Sequence, residues 1–72
     1  MGEILITVVI NGKRMSFKSG LALDKILCLS GHSTDLPFAV AVNRNLVVRS
    51  QYNITYLNND DVIDVVYPMQ GG

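Results

Sequence analysis

The sequence predicts an α+β domain in which one short helix lies across a mixed sheet made of two hairpins and a closing strand. Three observations carry this. Two extended runs flank Asn11-Gly12, a lone segment has the helical spacing Leu23, Ile26, Leu27, and a β-branched final run leads straight into Gly71-Gly72. A helix between two hairpins in a 72-residue chain has few ways to bury its apolar stripe. It must cover the sheet, and the last strand must find a place inside that sheet. Folding at this size buries only about 60% of the unfolded surface. Residues 1–72 are therefore expected to form one domain, with 69–72 as a flexible C-terminal tail.

Residues 4–10 are dense in β-branched side chains, and residues 13–17 carry apolar groups at Met15 and Phe17. Asn-Gly between two such runs signals a type I′ turn, which needs positive φ at both positions. Strand alternation predicts that Ile4, Ile6, Val8 and Ile10 face the core and that Leu5, Thr7 and Val9 face the other way. Ser19-Gly20 ends the hairpin. The helix follows, with Asp24 and Lys25 turned to solvent, and closes near Ser30 with Gly31 at the C′ position. Residues 32–37 read as a polar loop in which Pro37 sets up extended backbone.

Residues 38–42 form a short strand, Asn43-Arg44-Asn45 turns it back, and residues 46–49 complete a second hairpin. Residues 50–57 have no clean period and are expected to cross the end of the sheet as a turn or one helical turn, with Tyr52, Ile54 and Leu57 capping the core. Asn58-Asn59-Asp60-Asp61 is a turn by composition, and the last strand begins at Val62.

Composition excludes several function classes. Six basic residues balance six acidic ones, so no field draws in nucleic acid. No apolar run approaches the roughly 18 residues of a membrane span. The single Cys28 has no partner for an internal disulfide, and the N-terminus lacks the pattern of a signal peptide, which together point to a cytoplasmic setting. Asn53-Ile54-Thr55 is then an accidental glycosylation sequon. Met1-Gly2 opens like a myristoylation signal, but Ile6 stands where that motif needs Ser or Thr.

No catalytic constellation is visible. His32 lies in the polar loop and is expected to be an ordinary exposed side chain. Cys28 lies next to the apolar helical stripe and is expected to be a small buried hydrophobe. Zinc would need four ligands that the chain cannot assemble, and Asp60, Asp61 and Asp64 lack the spacing of a calcium loop. The one group with a chemical future is the α-carboxylate of Gly72. Pro68 blocks further sheet pairing, and Gly71 and Gly72 have no side chains, so the end should leave the body thin and extended. Four extended residues reach roughly 13 Å at about 3.3 Å each.

The order strand-strand-helix-strand-strand ending in a free Gly-Gly resembles the β-grasp fold of ubiquitin-like proteins. Ala39-Val40-Ala41-Val42-Asn43-Arg44-Asn45-Leu46-Val47-Val48-Arg49-Ser50-Gln51-Tyr52 is similar to the pattern of the thiamine-biosynthesis sulfur carriers, the ThiS family: an apolar strand, Val-Asn, a turn, a short apolar run, Arg and an aromatic. Val48 stands where the family commonly has Pro, and Asn59-Asp60-Asp61 where it has Asp-Gly-Asp. Asn59 is expected to take the left-handed φ of that turn, and Gln70 is a mild departure before the diglycine.

The resemblance implies a carrier that is itself a substrate and not an enzyme. A ThiF-like adenylating enzyme of the ubiquitin-activating type uses ATP to activate Gly72, and sulfur from a donor protein converts it to a thiocarboxylate. Met69, Gln70 and Gly71 are then the tail recognition residues, and a ThiG-like thiazole synthase receives the sulfur. The carrier binds no permanent cofactor and is expected to be monomeric when isolated. The same tail serves the MoaD-like small subunit of molybdopterin synthase, carriers for cysteine synthesis and ubiquitin-like protein modifiers, and a plain interaction module would share the fold without the chemistry. The Val-Arg-Ser-Gln-Tyr segment and the short length favour the thiamine carrier. Because first and last strands are neighbours in a β-grasp sheet, the resemblance also places Leu5, Val9, Val62 and Val66 side by side as an exposed apolar partner surface.

Overall fold

A computed structural model describes residues 4–32 and 39–67. The elements are β1 (Leu5–Ile10), β2 (Lys13–Lys18), α1 (Leu23–Leu29), β3 (Ala39–Val42), β4 (Asn45–Val47), a 3₁₀ helix (Arg49–Ile54) and β5 (Val62–Val66). They form one five-stranded sheet in the order β2-β1-β5-β3-β4. The closing strand occupies the middle, parallel to β1 and antiparallel to β3, which is the β-grasp arrangement.

Both hairpins turn through two residues with positive φ. Asn11 and Gly12 have φ of 50° and 82°, and Asn43 and Arg44 have 51° and 70°. These are the mirror-image turns whose twist matches that of paired strands. Strict alternation follows from them: Ile6, Val8 and Ile10 of β1, and Ile63 and Val65 of β5, are buried on one face. Leu23, Ile26 and Leu27 of α1 meet that face with no exposed surface, and each such burial contributes about 1.5–3 kcal/mol relative to solvent exposure. Phe17, Val40, Tyr52 and Leu57 complete the core.

The helix is capped by tertiary means at one end and by its own sequence at the other. Ala22 at the N-cap offers no side-chain acceptor, so the orphan N–H of Leu23 donates instead to the carbonyl of Thr55 at 2.7 Å. At the C-terminus, Gly31 takes φ of +92° with nothing within 4 Å of where a Cβ would stand, so its need for glycine is conformational. Its N–H donates to the Cys28 carbonyl at 3.2 Å, and the His32 N–H donates to that of Leu27 at 2.8 Å. This is a Schellman motif.

Four expectations are corrected by the structure. Ile4 is 73% exposed, because it precedes the strand and sits opposite Ser19 at the open end of the hairpin, beyond the last core pair, Ile6 and Phe17. Cys28 is exposed; the apolar stripe at 23, 26 and 27 continues to half-buried Ser30 and leaves Cys28 and Leu29 off the covered face. Ile54 is exposed while Tyr52 is buried, since the 3₁₀ helix advances by a third of a turn per residue and carries residue 54 away from the core. The left-handed residue of the last turn is Asp60, with φ of 71°, and not Asn59.

Among the described residues, no helix is long and apolar enough to cross a membrane. Residues 33–37 of the expected loop and Phe38 of the expected third strand lie outside the described residues.

Candidate functional site

The C-terminal strand is tied into the body from both flanks by asparagines that belong to turns. After Val9 pairs with Val62 and Ile10 with Ile63, β1 turns away and would leave the next backbone groups of β5 without a neighbour. Asn11 supplies one with its side chain: Oδ1 accepts the Val65 N–H at 2.8 Å, and Nδ2 donates to the Val65 carbonyl at 3.3 Å. On the other flank the Asn43 N–H donates to the Val62 carbonyl at 2.7 Å. Its Oδ1 accepts the Val62 N–H at 2.9 Å, and its Nδ2 donates to the Asp61 carboxylate at 2.9 Å.

The turn before β5 is fixed in the same way. Asn59 Oδ1 accepts the Thr7 N–H at 2.8 Å, while the Asp60 N–H donates to the Thr7 carbonyl at 2.7 Å. Asn59 therefore serves through its side chain, and Asp60 supplies the unusual backbone. The other Asp61 carboxylate oxygen accepts the Asn58 N–H at 2.7 Å. A load applied to the C-terminal segment is thus carried into β1, β3 and both hairpin turns.

Among the described residues, sheet pairing runs as far as Val66, opposite Ala39. The ring of the next residue, Tyr67, stacks on His32 with centroids 5.8 Å apart and planes 28° apart, and its hydroxyl is hydrogen-bonded to His32 Nδ1. His32 is accordingly half-buried at the end of the helix, a correction to the ordinary exposed loop residue that its sequence context suggests. The signal in the sequence is the alternation of β5, which carries Tyr67 to the helical face along with Ile63 and Val65. Met69, Gln70, Gly71 and Gly72 lie outside the described residues.

The face opposite the helix is open. Leu5, Val62 and Val66 are exposed at 61%, 41% and 58%, and Val9 is half-buried, so alternation puts all four where it should. The register does not put them side by side. Val9 pairs with Val62, Leu5 lies four residues behind that pair and Val66 four residues ahead, so the ends are separated by roughly 26 Å at about 3.3 Å per residue. Val66 instead lies beside Ala39, and Ala41 lies between Asp64 and Leu46. Leu46, 78% exposed, belongs to this face by the alternation of β4, which sequence reasoning did not follow to its end.

Among the described residues, no group of three or more His, Cys, Asp or Glu side chains is placed to hold a metal. A shallow depression lined by Asp24, Arg49, Ser50, Tyr52 and Asn53 lies at the start of the helix, the end away from Tyr67. The described chain thus ends, at Tyr67, one residue past a strand whose face opposite the helix is open.

The sequence pattern of the ThiS family matches residues 8–72. The fold is similar to the crystal structure of a thiamine biosynthesis protein (ThiS) from Geobacter metallireducens, with TM-score 0.74 and 21% identity over 93% of this chain and 100% of that one. A solution structure of a thiamine biosynthesis protein from the same organism gives TM-score 0.70 and 20% identity, covering 93% of this chain and 88% of the other. No curated protein matches the chain significantly.

Proposed function

The chain belongs to the ThiS family, and from that membership we propose that it is a sulfur carrier of thiamine (thiazole) biosynthesis whose working group is the α-carboxylate of Gly72. The observation that carries the proposal is the family match running through the terminal Gly71-Gly72, on a strand anchored from both flanks by Asn11 and Asn43. A free α-carboxylate has a pKa of about 3.3–3.7, so it is ionised at neutral pH and a poor electrophile.

Activation therefore comes first. In a ThiF-like adenylating enzyme, a carboxylate oxygen of Gly72 attacks the α-phosphorus of ATP and pyrophosphate leaves, giving an acyl-adenylate. A sulfur nucleophile at the oxidation level of sulfide, derived from a donor protein, then attacks the acyl carbon and AMP leaves. The product is a C-terminal thiocarboxylate, which a ThiG-like thiazole synthase consumes. Gly71 and Gly72 suit the task because a Cβ at either would thicken the segment and restrict its backbone where it enters the partner. Met69 and Gln70 are the recognition residues next to them. The lone Cys28 and its exposure fit a reducing, cytoplasmic compartment.

Incubation with the adenylating enzyme, ATP and a sulfur source should add to the intact chain the mass difference between one sulfur and one oxygen. Deletion of Gly72 should abolish both that gain and ATP–pyrophosphate exchange with no change in thermal midpoint. Exchange retained by the deletion variant would refute the assignment of Gly72.

A further inference from the structure

We propose that Asn11 is a modification site: it undergoes spontaneous hydrolytic deamidation through attack by the Gly12 nitrogen, at a rate set by its clamp on Val65, and the product loosens β5. The proposal stands on the fold and on amide chemistry and is independent of the carrier function.

The reaction joins an asparagine side chain to the backbone nitrogen of the following residue, so a side chain on that residue obstructs it. Of the six asparagines in the chain, Asn11 alone precedes a glycine; the others precede Arg44, Leu46, Ile54, Asn59 and Asp60. Gly12 leaves the nitrogen unhindered and its backbone free to adapt. Nothing lies within 4 Å of where a Cβ of residue 12 would stand, and Asn11 is exposed, so water reaches the turn.

The atoms balance without an oxidant or reductant. The Gly12 nitrogen bonds to Asn11 Cγ, the Cγ–Nδ2 bond breaks, and the amide proton leaves with Nδ2 as ammonia, closing a cyclic imide. Water then opens the ring. Attack at Cγ breaks the new bond to nitrogen and gives an aspartate at position 11. Attack at the backbone carbonyl carbon breaks the original peptide bond and gives an isoaspartate, with the chain rerouted through Cβ and Cγ.

The fold opposes the first step. For the nitrogen to reach Cγ, the carboxamide must swing back over its own peptide bond. It is instead directed across to β5, where Oδ1 accepts the Val65 N–H at 2.8 Å and Nδ2 donates to the Val65 carbonyl at 3.3 Å. The Asn11 backbone N–H also donates to the Ile63 carbonyl at 3.0 Å. Both side-chain bonds must open before the ring can close, which slows the reaction about 30-fold relative to the unfolded chain.

Neither product restores the clamp. An aspartate keeps an oxygen for the Val65 N–H but sets a second acceptor against the Val65 carbonyl, where Nδ2 donated. An isoaspartate adds a methylene to the backbone of a two-residue turn and disturbs the pairing of Ile10 with Lys13. Asn43 clamps the other flank of β5 through the Val62 N–H, but Arg44 follows it and it is spared. Damage is therefore confined to the β1 side of the strand.

The test incubates the full chain at neutral pH, folded in buffer or unfolded in guanidinium chloride. Fragmentation mass spectrometry locates the mass difference between –NH2 and –OH, and isoaspartyl methyltransferase counts the isoaspartate. In denaturant Asn11 should convert first, and in buffer about 30-fold more slowly. The converted chain, returned to buffer, should have a lower thermal midpoint and faster amide exchange at Val65, with exchange at Val62 unchanged. Arg44→Gly should make Asn43 convert in denaturant as Asn11 does. Asn11→Asp should reproduce the thermal loss; if that variant does not fold, the incubated wild type still decides. No conversion in denaturant, earlier conversion at another asparagine, equal rates folded and unfolded, or an unchanged midpoint after conversion each overturns the proposal.

Discussion

Asn11 stands at the first central position of the β1–β2 turn, yet its carboxamide pairs with the backbone of Val65, 54 residues further along the chain, accepting its N–H at 2.8 Å and donating to its carbonyl at 3.3 Å. One residue thus does two jobs with separate chemistry. Its backbone, at φ of 50°, makes the hairpin, and its side chain stands in for the strand residue that β1 no longer provides. Asn43 repeats the device on the opposite flank of β5, with φ of 51° and its side-chain oxygen on the Val62 N–H. The central strand runs on past the end of β1, where Asn11 pairs with Val65, and on the other flank Asn43 extends the pairing of β3 to Val62.

Replacing Asn11 with glycine separates the two jobs, since glycine keeps the left-handed turn and loses the clamp. Two partly buried hydrogen bonds at about 0.5–1.5 kcal/mol each predict that Asn11→Gly lowers stability by roughly 1–3 kcal/mol. Urea denaturation checks it. The midpoint should fall while the slope is unchanged, and a midpoint equal to wild type would mean that water replaces the side chain without loss.

Arg44 is the residue of the second turn that has the wrong side chain for its backbone. At φ of 70° it carries a Cβ where the left-handed region costs a non-glycine residue about 1–2 kcal/mol. Arg44→Gly should therefore stabilise the domain by roughly 0.5–1 kcal/mol, the remainder being offset by glycine's greater freedom when unfolded. The same denaturation experiment detects it as a raised midpoint.

Core and crossover positions should respond very differently to one chemical change. Leu27 has no exposed surface, so Leu27→Ala should cost about 2–5 kcal/mol, enough to unfold a large share of so small a domain. Ile54 is 64% exposed, so Ile54→Ala should stay within about 0.5 kcal/mol of wild type. Thermal midpoints for the two variants decide between this and the capping role that the sequence suggests for Ile54.

The contrast shows which parts of the molecule its sequence states openly. Period-2 and i, i+3, i+4 spacings are imposed by backbone geometry, so β1, β5 and the stripe Leu23, Ile26, Leu27 are legible, as is the Asn11-Gly12 turn. A 3₁₀ helix of six residues has a period too short-lived to show in a pattern, which hides the outward turn of Ile54. Bonds between residues far apart in sequence leave no local trace. Leu23 caps its helix on Thr55 and Asn11 holds Val65, and neither follows from spacing; alternation carries Tyr67 to the helical face but does not single out His32 as its neighbour. Register was the other gap: alternation tells which face Leu5 and Val66 share, but only the pairing of Val9 with Val62 tells how far apart they are.

That register makes the last prediction a graded one. If the proposed adenylating enzyme activates Gly72, it must hold the domain close to the end of β5, so the apolar groups nearest Tyr67 should matter most. Val66 is one residue from Tyr67 and lies beside Ala39. One row away, Ala41 lies between Asp64 and Leu46, and Val66 and Leu46 are 58% and 78% exposed. Small Ala39 and Ala41 leave room for a partner's side chain to approach the sheet between the two larger residues, and Asp64 adds a charge that can set orientation. Leu5, by contrast, is at the far end of the face, beside Lys18. Val66→Asp and Leu46→Asp should therefore each weaken binding to the adenylating enzyme by more than about 1 kcal/mol, as central interface residues do, while Leu5→Lys changes it by less than half of that. All three positions are exposed, so the fold should be unaffected. Calorimetric titration of the folded variants measures the ranking, and a Leu5→Lys loss equal to that of Val66→Asp would mean that the enzyme covers the whole face and not the part beside the tail.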